Sequence, residues 1–295
     1  MSAPAKGTGK GTGKGTGKGT GKGTVAVVTG ASRGAGAGIA AALAATGATV
    51  YVTGRSEDGI ARTAAECDRR GGAGIPVVCD HAEDAAVAAL FDRVRREHGR
   101  LDVLVNNAIA LPDGLTDDRP FWEKPLAHQR MFDVGLRSSY VAAWHAAPLL
   151  TVGGGLVAHT SSFGGGCYLH GPAYGSVKAG VDKLAHDLAV DLAPHQVAVV
   201  SVWMGILRTE RTLAGLARDP GRYGELAART ESPELTGRIL AALLAHPERM
   251  RWSGRTVIGA ELARELGVTD TDGSSPPSHR EMLGGPLEFN PAVVR

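Results

Sequence analysis

The sequence predicts an α/β protein with a single domain, in which helices cover both faces of a doubly wound parallel sheet. From residue 25 onward, short runs of β-branched residues alternate with longer stretches of helical pattern. This order favours parallel strands joined by right-handed helical crossovers. Hydrophobic residues make up 43% of the 295 residues and aromatic residues only 5%. Such a composition suits close packing of helices on a sheet and excludes wholesale disorder.

Six runs predict strands, because each is short, apolar and rich in valine, isoleucine or threonine. In chain order the predicted strands are 25–29, 49–53, 75–79, 101–105, 155–160 and 197–202. Runs that are apolar almost throughout are typical of parallel strands buried on both faces. The sequence therefore predicts a three-layer α/β/α architecture with a Rossmann-type sheet.

The stretches between these runs predict helices. The clearest lies between residues 83 and 98, where Val87, Leu90 and Val94 recur at helical spacing. The predicted helices are 35–46, 57–70, 83–98, 126–149 and 173–192.

The chain divides into three parts by composition. Residues 1–24 are dominated by a Gly-Thr-Gly-Lys repeat without apolar side chains to bury, which predicts a flexible low-complexity leader. Each Gly-Lys pair of the repeat is followed by glycine rather than by serine or threonine, so the phosphate-loop pattern is not met. Residues 25–260 are predicted to form a single folded domain, and 261–295 an irregular C-terminal extension.

Charge and cysteine content exclude several classes of protein. The net charge of +2 includes five lysines of the leader, so the rest of the chain has 27 basic and 30 acidic residues. We therefore expect no nucleic-acid surface. No run of 18 apolar residues and no secretory signal is found, which predicts neither membrane insertion nor export. Three cysteines without a Cys-x-x-Cys pair indicate a reducing compartment, so we expect a cytoplasmic protein without a disulfide framework or a metal site.

A glycine-rich turn links the first strand to the first helix. It reads Thr29-Gly-Ala-Ser-Arg-Gly-Ala-Gly36. Glycines at this place let backbone N–H groups approach a pyrophosphate at the helix N-terminus. A turn with only a structural role is the alternative, but the position between strand and helix favours dinucleotide binding.

The end of the second strand distinguishes the two nicotinamide cofactors. NAD sites place an acidic residue there to bind the ribose 2′-hydroxyl, whereas this chain has Arg55 there and no acid before Glu57. Together with Arg33 of the glycine turn, Arg55 offers guanidinium groups for a 2′-phosphate. The sequence thus favours NADP(H), while NAD(H) stays an alternative if both arginines are merely solvated.

Three residues form a candidate catalytic group. Tyr174 and Lys178 are four residues apart on a predicted helix and therefore share a face. A nearby ammonium is expected to lower the pKa of the phenol towards the working range. Ser162 follows the fifth strand, where ligands of parallel sheets bind, and can hydrogen-bond the same substrate oxygen.

The motifs taken together resemble the short-chain dehydrogenase/reductase family over about residues 24–260. They are the glycine turn, Asn106-Asn107-Ala108, the paired serines 161 and 162, Tyr174-x-x-x-Lys178 and Gly205-Ile-Leu-Arg-Thr209. Further stretches, such as Glu231-Ser-Pro-Glu234 and the segment 261–273, are similar to the dehydrogenase/reductase member 1-like subgroup. The resemblance implies an NAD(P)-dependent oxidoreductase that interconverts a small-molecule carbonyl and an alcohol, commonly as a homodimer or homotetramer.

The resemblance also implies a role for each matching residue. It implies that Tyr174 is the proton donor, that Lys178 tunes it and binds the nicotinamide ribose, and that Ser162 orients the carbonyl, with Ser161 as the alternative. The implied cofactor contacts are Gly30, Ser32, Arg33, Gly34 and Gly36 for the phosphates, Asp80 for adenine, Asn106 and Ala108 for the ribose path, and Ile206 and Thr209 for the carboxamide.

One departure bears on activity. The family's helix-four asparagine, which holds a proton-relay water, falls on Gly135. We expect Gly135 to slow turnover without abolishing it. An NADP(H)-binding sensor with little turnover is therefore an alternative function, and so is an interaction protein that recruits an anionic partner through its lysine-rich leader.

Overall fold

A computed structural model describes residues 23–218 and 220–295. The predicted leader, residues 1–24, lies outside this part of the chain except for its last two residues. The described strands are β1 Val25–Val28, β2 Thr49–Gly54, β3 Ala73–Val78, β4 Val103–Asn106, β5 Gly155–Ser161, β6 Val197–Trp203, β7 Ile206–Leu207, β8 Thr230–Glu231 and β9 Arg255–Ile258. Seven of them form a sheet in the order β3-β2-β1-β4-β5-β6-β9, and every pair is parallel. The predicted doubly wound parallel sheet is confirmed.

Helices lie on both faces of this sheet. Their bounds are α1 Gly34–Ala44, α2 Glu57–Arg69, α3 Asp84–His98, α4 Ser138–Leu150, α5 Pro172–Leu192, α6 Glu210–Leu216, α7 Pro220–Ala227, α8 Leu235–Ala245, α9 Gly259–Glu265 and α10 Arg280–Leu283. None of the described helices combines the length and apolar character needed to span a bilayer.

Two apolar cores hold the three layers together. Along β1, Ala26 and Val28 face a core shared with α1, α2, α8 and α9, whereas Val25 and Val27 face a second core under α3, α4 and α5. This alternation follows from the two-residue period of a strand. Because both faces are buried, the strands read as continuous apolar runs, which is why the sequence predicts most of them within two residues of their observed ends.

The predicted helix 126–149 is wrong as a single helix. Backbone angles at Val134 (φ −110°, ψ 93°) and Gly135 (φ 156°, ψ −68°) are not helical, and α4 begins only at Ser138. The break is stabilised from both sides, since the Ala110 N–H donates to the Val134 carbonyl at 2.8 Å and the Gly135 N–H donates to the Ser138 hydroxyl at 3.0 Å. The left-handed φ of Gly135 is open to glycine and strained for other residues.

The C-terminal third contributes elements that the sequence analysis does not predict. Strand β9 is the seventh strand of the sheet and pairs with β6, and β7 pairs with β8 in a separate two-stranded sheet. Leu262 and Ala263 of α9 pack in the core beside α1 and α8. Helix α9 therefore continues the packed body beyond residue 260, although the predicted domain bounds stay a prediction.

Candidate active site

The sequence-predicted residues lie at the carboxyl ends of the strands. The strand order reverses between β1 and β4, so the loops after these two strands diverge and leave a crevice between them. The glycine turn follows β1, Arg55 follows β2 and Asp80 follows β3. The remaining predicted residues lie at or beyond the ends of β4, β5 and β6, or in the first turns of α5.

Close packing requires glycine at two positions of the turn, and the helix end that follows is uncapped. Gly30 and Gly34 have left-handed φ angles of 64° and 59°. A Cβ at Gly30 would lie 2.7 Å from Ala108 Cα, and one at Gly36 would lie 2.4 Å from the Gly30 carbonyl oxygen. No side chain caps the N-terminus of α1 and its first turn carries no acid. The exposed N–H groups of this turn therefore fit an anionic group.

Asn107 fixes the shape of the turn, a role that the sequence analysis missed. Its side-chain amide donates to the carbonyls of Thr29 (2.9 Å) and Gly30 (3.1 Å). The Thr29 hydroxyl in turn accepts from the backbone N–H groups of Asn107 (2.8 Å) and Ala108 (3.0 Å). Its position between Asn106 and Ala108, both predicted site residues, was the available signal. The neighbouring Asn106 is buried and donates to the Ser139 carbonyl at 3.2 Å.

The two arginines proposed for the 2′-phosphate lie on adjoining loops. Arg33 and Arg55 are exposed, and no carboxylate within the described ranges pairs with either. Ser32 packs against the first turn of α2, since a Cβ at Gly59 would lie 2.8 Å from Ser32 Cβ. Asp80 is half-buried, and its carboxylate accepts the Ala82 N–H at 3.0 Å. This edge of the crevice thus presents two unpaired guanidinium groups.

Tyr174, Lys178 and Ser162 come together at the end of β5. The Lys178 ammonium is buried, donates to the Thr160 carbonyl at 3.0 Å and lies 5.5 Å from the centre of the Tyr174 ring. The Ser162 hydroxyl accepts the Gly164 N–H at 3.2 Å and lies close enough to Tyr174 to lower the pKa of its phenol. A Cβ at Gly164 would lie 2.8 Å from Tyr174 Cε1, so the missing side chain lets the ring approach.

Geometry favours Ser162 over Ser161 as the residue that contacts substrate. Ser161 is fully buried, and its hydroxyl donates to the Lys178 carbonyl at 3.3 Å. Ser161 therefore ties β5 to α5, whereas the half-buried Ser162 lies beside the phenol.

The expected lowering of the Tyr174 pKa is wrong for the protein alone. Burial raises the pKa of Tyr174, and the hydrogen bond with Ser162 opposes this only in part. Burial also lowers the pKa of Lys178 to about 8, against the opposing charge of Asp182. The lysine ammonium lies over the ring and is engaged by the Thr160 carbonyl, so desolvation of the phenol outweighs its influence.

Asp182 is a buried residue that the sequence analysis missed. Its carboxylate accepts from the Ser201 hydroxyl at 2.5 Å and from the Trp203 indole N–H at 2.8 Å. Burial raises its pKa, and these hydrogen bonds oppose the rise. These two hydrogen bonds to β6 fix the register of α5, on which Asp182 lies four residues beyond Lys178. The four-residue spacing from Lys178 was the available signal.

The segment Gly205–Thr209 reaches the glycine turn from the far side. A Cβ at Gly34 would lie 3.7 Å from Thr209 Cγ2, and Ile206 is half-buried nearby in sequence on β7. The buried Glu231 supports this segment, since its carboxylate accepts the Gly205 N–H at 3.0 Å. Burial raises the pKa of Glu231 to about 7.

A second acid, Asp270, supports the same segment from the C-terminal part of the chain. It is buried, pairs with Arg208 at 3.1 Å and accepts the Ser232 N–H at 2.8 Å. The Arg208 N–H donates to the Glu231 carbonyl at 2.8 Å. Glu231 and Asp270 therefore hold residues 205–209 in place. The sequence analysis did not predict this role.

A side chain at position 135 would be crowded by Val177. A Cβ at Gly135 would lie 3.0 Å from Val177 Cγ1 and 3.4 Å from Ile109 Cγ1. Ser138 and Ser139 are buried directly beyond it, and the Ser139 hydroxyl donates to the Gly135 carbonyl at 2.5 Å. The helix break is thus maintained by backbone and serine hydroxyls.

Comparison with known proteins gives consistent matches. The sequence profile of the family described as short chain dehydrogenase matches residues 24–216. Dehydrogenase/reductase SDR family member 1 of Mus musculus is 41% identical over 239 residues, which cover 77% of this chain and 76% of the mouse protein. The Homo sapiens protein of the same name is 40% identical over 273 residues, covering 84% and 86%. The crystal structure of a short-chain type dehydrogenase/reductase from Mycobacterium marinum gives a TM-score of 0.68 at 29% identity, covering 80% of this chain and 93% of that one.

Proposed function

Because the chain belongs to the short-chain dehydrogenase/reductase family, whose members interconvert alcohols and carbonyls, we propose that it is an NADPH-dependent carbonyl reductase with Tyr174 as the proton donor. The single observation that carries the proposal is the meeting of Ser162, Tyr174 and Lys178 beside the crevice that holds the glycine turn. A weak acid, a cation and a hydroxyl at one edge are the groups that carbonyl reduction requires.

The crevice residues fit a dinucleotide. The glycine turn and the N-terminus of α1 would hold the phosphates. Residues 205–209, held in place by Glu231 and Asp270, would contact the nicotinamide. NADP is favoured over NAD because Arg33 and Arg55 are exposed and unpaired within the described part of the chain. NADP(H), when bound, supplies or accepts the hydride.

The proton is handled by Tyr174. In reduction, its hydroxyl would protonate the developing alkoxide while the Ser162 hydroxyl donates a hydrogen bond to the same oxygen. The raised pKa of Tyr174 keeps the phenol protonated near neutral pH, which suits a proton donor. General acid catalysis of this kind contributes ~10²- to 10⁴-fold to the rate.

One observation favours a second function, an NADP(H) sensor with little turnover. Gly135 leaves no side chain at the relay position, and the space around it is filled by Val177 and Ile109. The two functions differ in one measurement, because a sensor binds NADPH but does not oxidise it.

Association into a cytoplasmic homodimer or homotetramer completes the proposed function. Helix α4 exposes Tyr140 and Trp144, whose exposed fractions are 54% and 63%. Large aromatic side chains on one long helix suit an interface between copies of the chain. Sedimentation of the protein at several concentrations tests this part, and a concentration-independent monomer would contradict it.

The test of the proposed function combines binding and turnover. Titration with NADPH and NADH gives the cofactor preference, and NADPH oxidation is then followed over a panel of ketones and aldehydes. Replacing both Arg33 and Arg55 by alanine should weaken NADPH binding roughly 10- to 100-fold, as expected for charge-assisted hydrogen bonds, and leave NADH binding unchanged. Arg96→Ala, an exposed arginine on α3, is the matched control. Equal affinity of the unaltered protein for both cofactors would contradict the NADP preference.

A further inference from the structure

We infer that the substrate is an apolar carbonyl compound that carries a carboxylate, and that Lys124 and Arg211 bind this carboxylate at the entrance above Tyr174. The inference rests on the proposed function, because it places the reacting carbonyl at Tyr174. It concerns the loops that surround this residue, where the chemistry of the substrate is recognised.

His170 marks the entrance. Its ring lies against the Tyr174 ring edge to face, with 5.1 Å between ring centres and an angle of 79°. It holds a left-handed φ of 61°, which is uncommon for a residue other than glycine and typical of functional loops. Burial, followed by the charges of Lys124 and Arg211, lowers the pKa of His170. The positive charges of both cations therefore act on a ring that touches Tyr174.

Lys124 lies at the first turn of α5. A Cβ at Gly171 would lie 3.8 Å from the Lys124 ammonium nitrogen and 4.0 Å from the Tyr168 hydroxyl. Gly171 immediately precedes α5, whose first turn contains no acid and whose N-terminus has no side-chain cap. The partial positive charge of this helix end adds to that of Lys124.

Arg211 reaches the entrance from α6. Its guanidinium donates to the Pro112 carbonyl at 3.0 Å and so connects α6 with the loop after β4. A guanidinium has five N–H donors, and a single neutral carbonyl leaves most of them free. Arg211 and Lys124 thus approach from two different segments of the chain.

Within residues 23–218 and 220–295, no carboxylate pairs with these two cations. Among the described residues, no acid lies within 4.0 Å of either. Asp117, whose carboxyl senses Lys124, is already paired with Arg119 at 2.6 Å. Glu123 and Glu210 are sequence neighbours of the two cations but are exposed and not paired with them. An unpaired, half-buried ammonium favours an anionic ligand.

The segments next to Lys124 expose large apolar side chains. Phe121, Trp122 and Leu126 are exposed by 60%, 72% and 86%, and Tyr168 by 80%. Phe121 and Trp122 pack edge to face with ring centres 5.4 Å apart. Exposed aromatic residues beside a cation complement a ligand with an apolar body and an anionic end.

The test compares two ketones, the benzoylpropionate anion and its methyl ester, which lacks the charge and carries one more methyl group. We measure the kcat/KM of NADPH-dependent reduction of each by the unaltered protein and by Lys124→Met and Arg211→Met, in which an unbranched side chain keeps the packing but removes the charge. Lys183→Met is the matched control, since Lys183 lies on α5 and pairs with Asp187. We expect the unaltered protein to prefer the acid by about tenfold or more. Either entrance variant should lose most of this preference while its kcat/KM for the ester changes less than about threefold.

Direct binding distinguishes failure of this inference from failure of the proposed function. Calorimetric titration of the NADP-bound protein with each compound should show tighter binding of the acid, weakened by added salt and by either entrance variant. Equal use of acid and ester, or equal loss for both in the variants, would overturn the inference and leave the reductase intact. Absence of turnover with both compounds would contradict the reductase. In that case calorimetry still decides the inference, which fails if acid and ester bind alike.

Discussion

Alanine at position 36 is expected to distort the cofactor turn. The added Cβ would lie 2.4 Å from the Gly30 carbonyl oxygen and 2.5 Å from the Asn107 amide nitrogen, whereas real Cβ atoms essentially never approach closer than 3.0 Å. The Gly30 oxygen belongs to the backbone, so it must move by about 0.6 Å, the difference between those distances. The same shift strains the two hydrogen bonds by which Asn107 holds Thr29 and Gly30.

The magnitude follows from these contacts. Overpacking costs ~1–3 kcal/mol, and weakening two hydrogen bonds adds about 1 kcal/mol. We therefore expect the free energy of unfolding to fall by roughly 2–4 kcal/mol, which lowers the Tm of a chain of this size by ~3–7 °C. Binding of NADPH should weaken as well, because the backbone N–H groups of the turn are displaced.

Thermal unfolding followed by circular dichroism, with and without NADPH, measures both effects. The control is Gly153→Ala, because a Cβ there would meet nothing within 4 Å and its φ is not left-handed. That variant should stay within about 0.5 kcal/mol of the unaltered protein. If Gly36→Ala has the same Tm as the unaltered protein and NADPH raises both Tm values equally, the steric account of the turn is refuted.

Three further predictions concern buried positions. Gly135→Asn should destabilise the protein and fail to raise the kcat, because its φ is left-handed and Val177 lies 3.0 Å from the new Cβ; a faster, stable variant would contradict this. Burial lowers the pKa of His159 from 6.5 to about 4, so its contribution to stability is complete above pH 6.5 and is lost as pH falls towards 4. Between pH 6.5 and pH 4, the free energy of unfolding of His159→Leu, measured in urea, should therefore fall by about 3 kcal/mol less than that of the unaltered protein. Parallel pH profiles of the two proteins would disprove this. Glu231→Ala should lower the free energy of unfolding by ~1–3 kcal/mol, because it leaves the Gly205 N–H unpaired. Glu231→Gln should lower it much less, because the side-chain amide oxygen can still accept this hydrogen bond. Equal losses in the two variants would contradict the proposed hydrogen bond.

Local patterns predicted the part of the site that lies close together in sequence. The glycine turn was predictable because a β-branched strand precedes it and because only glycines tolerate its left-handed angles at positions 30 and 34. Tyr174 and Lys178 were predictable as a pair because they share one face of α5.

The parts that depend on distant contacts were not predictable. Glu231 supports Gly205 across 26 positions and Asp270 supports Ser232 across 38, and no local periodicity indicates such pairs. The break before α4 was missed because one glycine among helix-compatible residues does not interrupt the pattern. The direction of the Tyr174 pKa was wrong because it depends on burial, which a spacing between two residues does not show.

The most direct test of the account compares Tyr174→Phe with the unaltered protein by NADPH titration and by NADPH oxidation with a ketone substrate. The account predicts unchanged affinity for NADPH, since the phenyl ring preserves the packing, together with a loss of turnover of at least ~10²-fold. A phenylalanine variant that still oxidises NADPH at the rate of the unaltered protein would contradict the role of the Tyr174 hydroxyl as proton donor.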